Sequence, residues 1–181
     1  ATFDKFHLVP FGEYVPMRGV LPVEKIAPGP VDFSAGTGLK TIRLPGRPPF
    51  SPLICYEVIF PGAVVDRGDR PDWIFNVTND AWFGPSFGGR QHFALGRLRA
   101  VETGRWLLRA GNDGITASVD PFGRVVAEIP PHQEGFLLAP YALRTGLTPY
   151  ARFGDWAVGL ALTIFLLGLI LRVRPPGWRN R

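Results

Sequence analysis

Pro52-Leu53-Ile54-Cys55-Tyr56-Glu57 is a hydrophobic run that ends abruptly in a thiol and a carboxylate. Leu53–Cys55 reads as a short buried strand, and the end of such a strand is where a sheet presents a nucleophile to a pocket. Free cysteine is also among the most buried residue types, serving as a small core hydrophobe. The hexapeptide alone leaves both readings open. Its neighbours decide between them.

Outward from Cys55, the pattern alternates between strand and helix. Asp72-Trp73-Ile74-Phe75-Asn76-Val77 predicts a second buried strand, ending in Thr78-Asn79-Asp80. Gln91–Thr103 predicts a helix in which Ala94, Leu98 and Val101 share one face, Arg97 and Arg99 project elsewhere, and Gly104 supplies the stop. Further strands are expected at Trp106–Arg109, Ile115–Val119, Val125–Ile129 and Gly135–Leu138, with Asp120-Pro121-Phe122-Gly123 as a turn. Strand, helix, strand and then hairpins indicate an α/β domain with helices on a sheet. The first 50 residues are rich in Pro and Gly. They start extended (Phe3 to Val9) and contain an irregular stretch, Glu24–Thr37, that reads either as a lid or as a surface excursion.

The 181 residues are 46% hydrophobic and 13% aromatic, enough for a substantial core, with abundant Gly (22) and Pro (19) marking a loop-rich fold. The net charge of +5 is concentrated at the end. Arg172, Arg174, Arg179 and Arg181 carry four of those charges, leaving +1 for the other 171 residues. No basic face runs through the folded part, which excludes nucleic acid as the partner. The tail instead follows an uncharged run from Trp156 to Leu171 that is apolar all round a helix. That run predicts a transmembrane helix over residues 155–173, with a basic cytoplasmic tail at 174–181 by the positive-inside rule. A domain at 1–140, joined by a linker at 141–154, then lies on the outer, oxidising side. There the lone cysteine has no internal disulfide partner.

Three more segments carry polar groups at apparent strand ends. Lys5 and Glu13 flank a Pro/Gly turn, Asn79-Asp80 follows the second strand, and Arg99–Arg105 closes the helix. Singly these are a solvated charge, a turn residue and a cap. Together they fit acyl transfer. A cysteine attacks a carbonyl as thiolate, the resulting oxyanion needs donors such as an ammonium, and a carboxylate serves as base or holds the lysine. His7, His92 and His132 have no ligand spacing and one cysteine cannot build a zinc site, so neither metal nor organic cofactor is expected.

Four ordered motifs, Lys5-Phe6-His7-Leu8-Val9-Pro10-Phe11-Gly12-Glu13-Tyr14-Val15-Pro16, Ile54-Cys55-Tyr56-Glu57, Asn79-Asp80-Ala81-Trp82-Phe83-Gly84 and Gly146-Leu147-Thr148-Pro149-Tyr150-Ala151-Arg152, strongly resemble the bacterial apolipoprotein N-acyltransferases. These form a membrane branch of the nitrilase (carbon–nitrogen hydrolase) superfamily. The resemblance implies the second half of a nitrilase-like αββα sandwich with a Glu–Lys–Cys triad. Cys55 takes the nucleophile's place and Lys5 that of the oxyanion-stabilising lysine. Glu13 takes that of an additional glutamate, and Tyr56 and Glu57 those of the two residues after the nucleophile. It implies a phospholipid acyl donor and an apolipoprotein acceptor at the inner membrane, with the catalytic domain periplasmic. The family's general-base glutamate lies upstream of the lysine, and only Ala1 to Asp4 precede Lys5. The chain is therefore expected to be the C-terminal portion of a longer protein and inactive alone. The rival readings are a nitrilase or amidase-type hydrolase and an inactive membrane-anchored fragment.

Overall fold

The computed structural model describes residues 1–20, 23–26, 31–139, 141–144 and 146–173. The expected tail at 174–181 and the Ala27-Pro28-Gly29-Pro30 stretch lie outside the described residues. Five strands form one mixed sheet in sequence order: β1 (Phe50–Ile54), β2 (Trp73–Asn79), β3 (Trp106–Asn112), β4 (Thr116–Val119) and β5 (Val125–Ile129). β1, β2 and β3 run parallel, and β3, β4 and β5 are antiparallel neighbours. The parallel step from β2 to β3 is made by helix α1 (Gly88–Thr103), as the strand–helix–strand pattern predicts.

Alternation along the strands gives the sheet two different faces. Leu53, Ile74, Leu107 and Val119 point to the α1 side and are fully buried, as is Val58, in one cluster with the buried Phe93. Gly96 lets the helix sit close, because a Cβ there would come within 3.2 Å of Leu107 Cδ2. The other face carries Phe50 stacked on Trp73 (centroids 4.8 Å apart), with Tyr141 beyond (5.6 Å from Trp73). This aromatic face is only partly covered.

Two expectations require correction. α1 buries His92, Phe93, Gly96, Arg99, Ala100 and Thr103, while Leu98 and Val101 are exposed. The apolar stripe read from sequence therefore faces outward, because the buried side combines Phe93, Gly96 and Ala100 with His92 and Arg99, which bond to other elements. Gly135–Leu138 joins no strand of the sheet, and Phe136 and Leu138 are exposed. Pro130 and Pro131, which lack N–H donors, end the pairing that β5 would otherwise have extended. Phe3–Val9, expected to be extended, joins no strand of the sheet.

After the sheet, α2 (Pro149–Phe153) begins at Thr148, whose hydroxyl accepts from Ala151 N and donates to the Glu102 carbonyl. Arg105 reaches the Gly146 carbonyl at 3.1 Å. These bonds tie residues 146–153 to the end of α1. α3 (Trp156–Val173) follows, with its apolar side chains from Val158 to Leu171 exposed. At 18 residues it extends about 27 Å. Among the described residues, no helix is long and apolar enough to cross a membrane, so the structure does not show the transmembrane helix expected over residues 155–173.

Candidate active site

Cys55 stands where β1 gives way to a single 3₁₀ turn, Cys55–Ile59. Its φ is +52°, in the left-handed region that a residue bearing a side chain adopts only under constraint, at a cost of about 1–3 kcal/mol. Side chains grip the backbone just before Cys55. Asn76 Nδ2 donates to the Leu53 carbonyl at 3.2 Å, and Ile54 N donates to Glu57 Oε2 at 2.7 Å. The second bond explains the local spacing: a glutamate in the third position of the turn folds back onto the N–H preceding it.

The other oxygen of Glu57 ties two distant segments together. Oε1 accepts from Phe6 N at 2.7 Å and His7 N at 3.2 Å. Glu57 is thus fully buried, with its carboxylate bridging the Cys55 corner and the segment that follows Lys5. Lys5 in turn donates to both Glu13 oxygens, at 2.8 and 2.7 Å, across the Pro10-Phe11-Gly12 turn. Val9 N donates to Glu13 Oε2 at 2.8 Å, so the turn itself aims the carboxylate at the lysine. The described part of the Glu24–Thr37 stretch is stitched to the same segment by Ile26 N to the Phe11 carbonyl, Phe33 N to the Glu13 carbonyl and Gly36 N to the Lys5 carbonyl.

A cavity of about 380 Å³ opens at this corner, within the usual range for small-ligand sites. Cys55, Glu13, Tyr56, Asn79, Gln91 and His92 supply its polar lining. Val9, Ile26, Ile59, Trp82, Phe83 and Leu95 make most of the wall apolar. Of the residues expected from sequence, Cys55, Tyr56 and Glu13 share this cavity, and Lys5 joins through Glu13. Glu57 lies beneath it and does not line it.

A buried polar network that the sequence did not reveal supports the corner from behind. Asp80 Oδ2 accepts from Arg109 Nη2 at 2.6 Å, and Arg109 Nη1 donates to Asn76 Oδ1 at 2.6 Å. Asp80 Oδ1 lies 3.0 Å from His92 Nδ1 and accepts from Thr78 Oγ1 at 2.9 Å. Burial works against the Asp80 carboxylate, yet His92, Arg109 and Thr78 together hold it below its ordinary value. Burial pulls the Arg109 guanidinium down, with Asp80 opposing. One signal was present in the sequence. Arg109 has the same parity as Leu107, so a charge on the core-facing side of a strand had to have a partner. Among the described residues, no cluster of three or more His, Cys, Asp or Glu side chains is arranged for a metal.

A strained strand-end cysteine, a nearby lysine–glutamate pair and a mixed sheet covered by a helix define an α/β protein with a thiol-centred pocket. The chain belongs to the carbon-nitrogen hydrolase family, whose profile matches residues 1–146. It is 40% identical over 98% of its length to an apolipoprotein N-acyltransferase of Rhodopseudomonas palustris, covering 34% of that protein. It is 46% identical to the apolipoprotein N-acyltransferase of Bradyrhizobium diazoefficiens over 92% of this chain and 32% of that protein. The chain thus spans about a third of the length of the curated relatives it matches. Among solved structures, a cysteine-to-alanine mutant of a Nesterenkonia AN1 amidase from the nitrilase superfamily shares the fold. It aligns with a TM-score of 0.51 and 24% identity over 73% of this chain and 47% of that one.

Proposed function

We propose that this chain is the C-terminal part of an apolipoprotein N-acyltransferase, carrying its nucleophile and its oxyanion-stabilising lysine. The observation that carries the reading is a largely apolar cavity lined by Cys55, a setting that suits a fatty acyl chain. In the first step the Cys55 thiolate attacks the ester carbonyl of a phospholipid, with Lys5 stabilising the oxyanion. The C–O bond breaks, a lysophospholipid leaves with a proton, and a thioester remains on Sγ. In the second step the α-amino group of a diacylglyceryl-cysteine at an apolipoprotein N-terminus attacks that thioester. An amide forms, the amine loses a proton, and the thiol is restored.

Glu57 is committed to three backbone N–H groups and Glu13 to Lys5 and Val9 N, so neither is a free base. The proton carrier in this scheme is a glutamate from upstream of the chain. The same upstream half supplies a second sheet against the aromatic face, completing the αββα sandwich. In this reading the exposed apolar α3 spans the inner membrane although its 18 residues extend only about 27 Å, local thinning of a layer of about 30 Å and Arg172 snorkelling to the headgroups making up the difference. The domain is periplasmic and the tail cytoplasmic. Both lipid substrates are then delivered at the bilayer beside the pocket.

The test is single-turnover incubation of the full-length protein with a labelled phospholipid, followed by mass spectrometry of the Cys55 peptide. An acyl mass on Cys55 that is discharged by an amine acceptor supports transfer. Discharge by water alone would support the hydrolase reading instead, and no acyl adduct would refute both.

A further inference from the structure

His92 has no part in the chemistry above, yet its ring touches the nucleophile's own peptide. It is 4% exposed on α1, with Nε2 3.2 Å from the Cys55 backbone carbonyl oxygen. A carbonyl is only an acceptor, so Nε2 carries the proton. The other nitrogen, Nδ1, lies 3.0 Å from Asp80 Oδ1 and 3.2 Å from Arg109 Nη2. A neutral ring accepts there from Arg109, and a cationic ring donates there to Asp80. Nε2 is a donor in both forms. The bond to Cys55 therefore survives any change of charge on the ring.

Cys55 needs such a bond. Its left-handed backbone is held only by what surrounds it. Three consecutive residues are gripped by side chains of different elements: Leu53 at its carbonyl by Asn76 of β2, Ile54 at its N–H by Glu57, and Cys55 at its carbonyl by His92 of α1. Arg109 of β3 and Asp80 hold the imidazole in place from behind. A Cβ on Gly114 would overlap the Asp80 carboxylate, so the network is also closed on that side.

We propose that His92 is a positioning residue for Cys55: its Nε2–H fixes the Cys55 peptide, and with it the strained turn that presents the thiol to the cavity. The inference rests on Cys55 being the nucleophile. Asparagine and glutamine separate the two halves of the imidazole. An Asn amide nitrogen falls near Nδ1 and keeps the Asp80 contact, whereas a Gln amide nitrogen reaches toward Nε2 and keeps the Cys55 contact.

The experiment compares His92→Asn and His92→Gln in the full-length protein by three readouts: kcat and KM for thioester formation, the rate of Cys55 alkylation by iodoacetamide across pH, and thermal unfolding. We expect His92→Asn to lower kcat about 10²-fold, the cost of a roughly 1 Å misplacement, with KM within about twofold. The alkylation profile should change with it, and His92→Gln should recover most of both. The opposite ranking, with Asn active and Gln inactive, would overturn the proposal in favour of simple support for Asp80. Wild-type kinetics in His92→Asn would overturn it as well. Should His92→Asn unfold the chain, Cys55→Gly, which removes the strain, must restore folding of the double variant; failure to do so counts against the proposal. If wild type forms no thioester while alkylation still follows the Asn/Gln ranking, the acyl-transfer reading fails and the positioning role stands.

Discussion

Glu57→Gln is the sharpest perturbation of the site, because it removes a charge while changing almost no volume. The carboxylate accepts three backbone N–H groups, two on Oε1 (Phe6 and His7) and one on Oε2 (Ile54). An amide has one acceptor oxygen, so its cheaper orientation keeps Phe6 and His7 and turns an NH₂ toward the Ile54 N–H. That loses one charge-assisted bond, about 1.5–3 kcal/mol, and leaves a buried N–H unpaired, about 1–3 kcal/mol. The sum, about 2.5–6 kcal/mol, brackets the ~3–5 kcal/mol typical of breaking a buried ion pair. Set against a typical domain stability of about 5–15 kcal/mol, the variant should fold but melt about 10 °C lower. Thioester formation should fall with it, because the bond that breaks holds Ile54 beside Cys55. Differential scanning fluorimetry and single-turnover acylation on the same full-length preparation provide the assay. An unchanged melting temperature with acylation abolished would refute the reasoning, showing that the carboxylate carries a proton instead of bridging two segments.

Cys55→Ala should abolish the acyl adduct, as read by mass spectrometry of that peptide; an adduct elsewhere in this chain would move the nucleophile. Lys5→Ala should slow the first step about 10²–10³-fold, the loss typical of one oxyanion donor, and an unaffected rate would remove Lys5 from the site. Asp80 is held below its ordinary value, so its stabilisation is complete above about pH 4 and is lost as pH falls through the lowered value. Asp80→Asn should therefore be less stable near neutrality and should flatten the acid limb of a melting-temperature profile; an unchanged acid limb would discount that pairing. A cysteine at Asn180 should be shielded from a membrane-impermeant maleimide in intact cells, and ready labelling there would reverse the proposed topology.

Local pattern carried much of the architecture. The apolar centres of β1, β2 and β3, the turn at Asp120–Gly123 and the Gly104 stop were legible because strand pairing, turns and caps depend on residues near in sequence. The candidate nucleophile and the lysine–glutamate pair were legible too, being carried by short motifs whose spacing is built by one turn each. The buried side of α1 was not, because helix periodicity records where apolar residues lie and not which polar ones find partners. His92, Arg99 and Thr103 look solvated in sequence. His92 is inside because Asp80 and Arg109, distant along the chain, meet it, Arg99 because it reaches the Ile59 carbonyl and Glu102, and Thr103 because its hydroxyl turns back on the Arg99 carbonyl. The difference between Glu13 and Glu57 was equally hidden. Both are carboxylates close to a motif, and only the tertiary structure gives one an ammonium and the other three backbone N–H groups. What a side chain can do chemically is written in its identity; whether it faces water, a charge or a peptide is settled by residues brought beside it from 30 or 50 positions away.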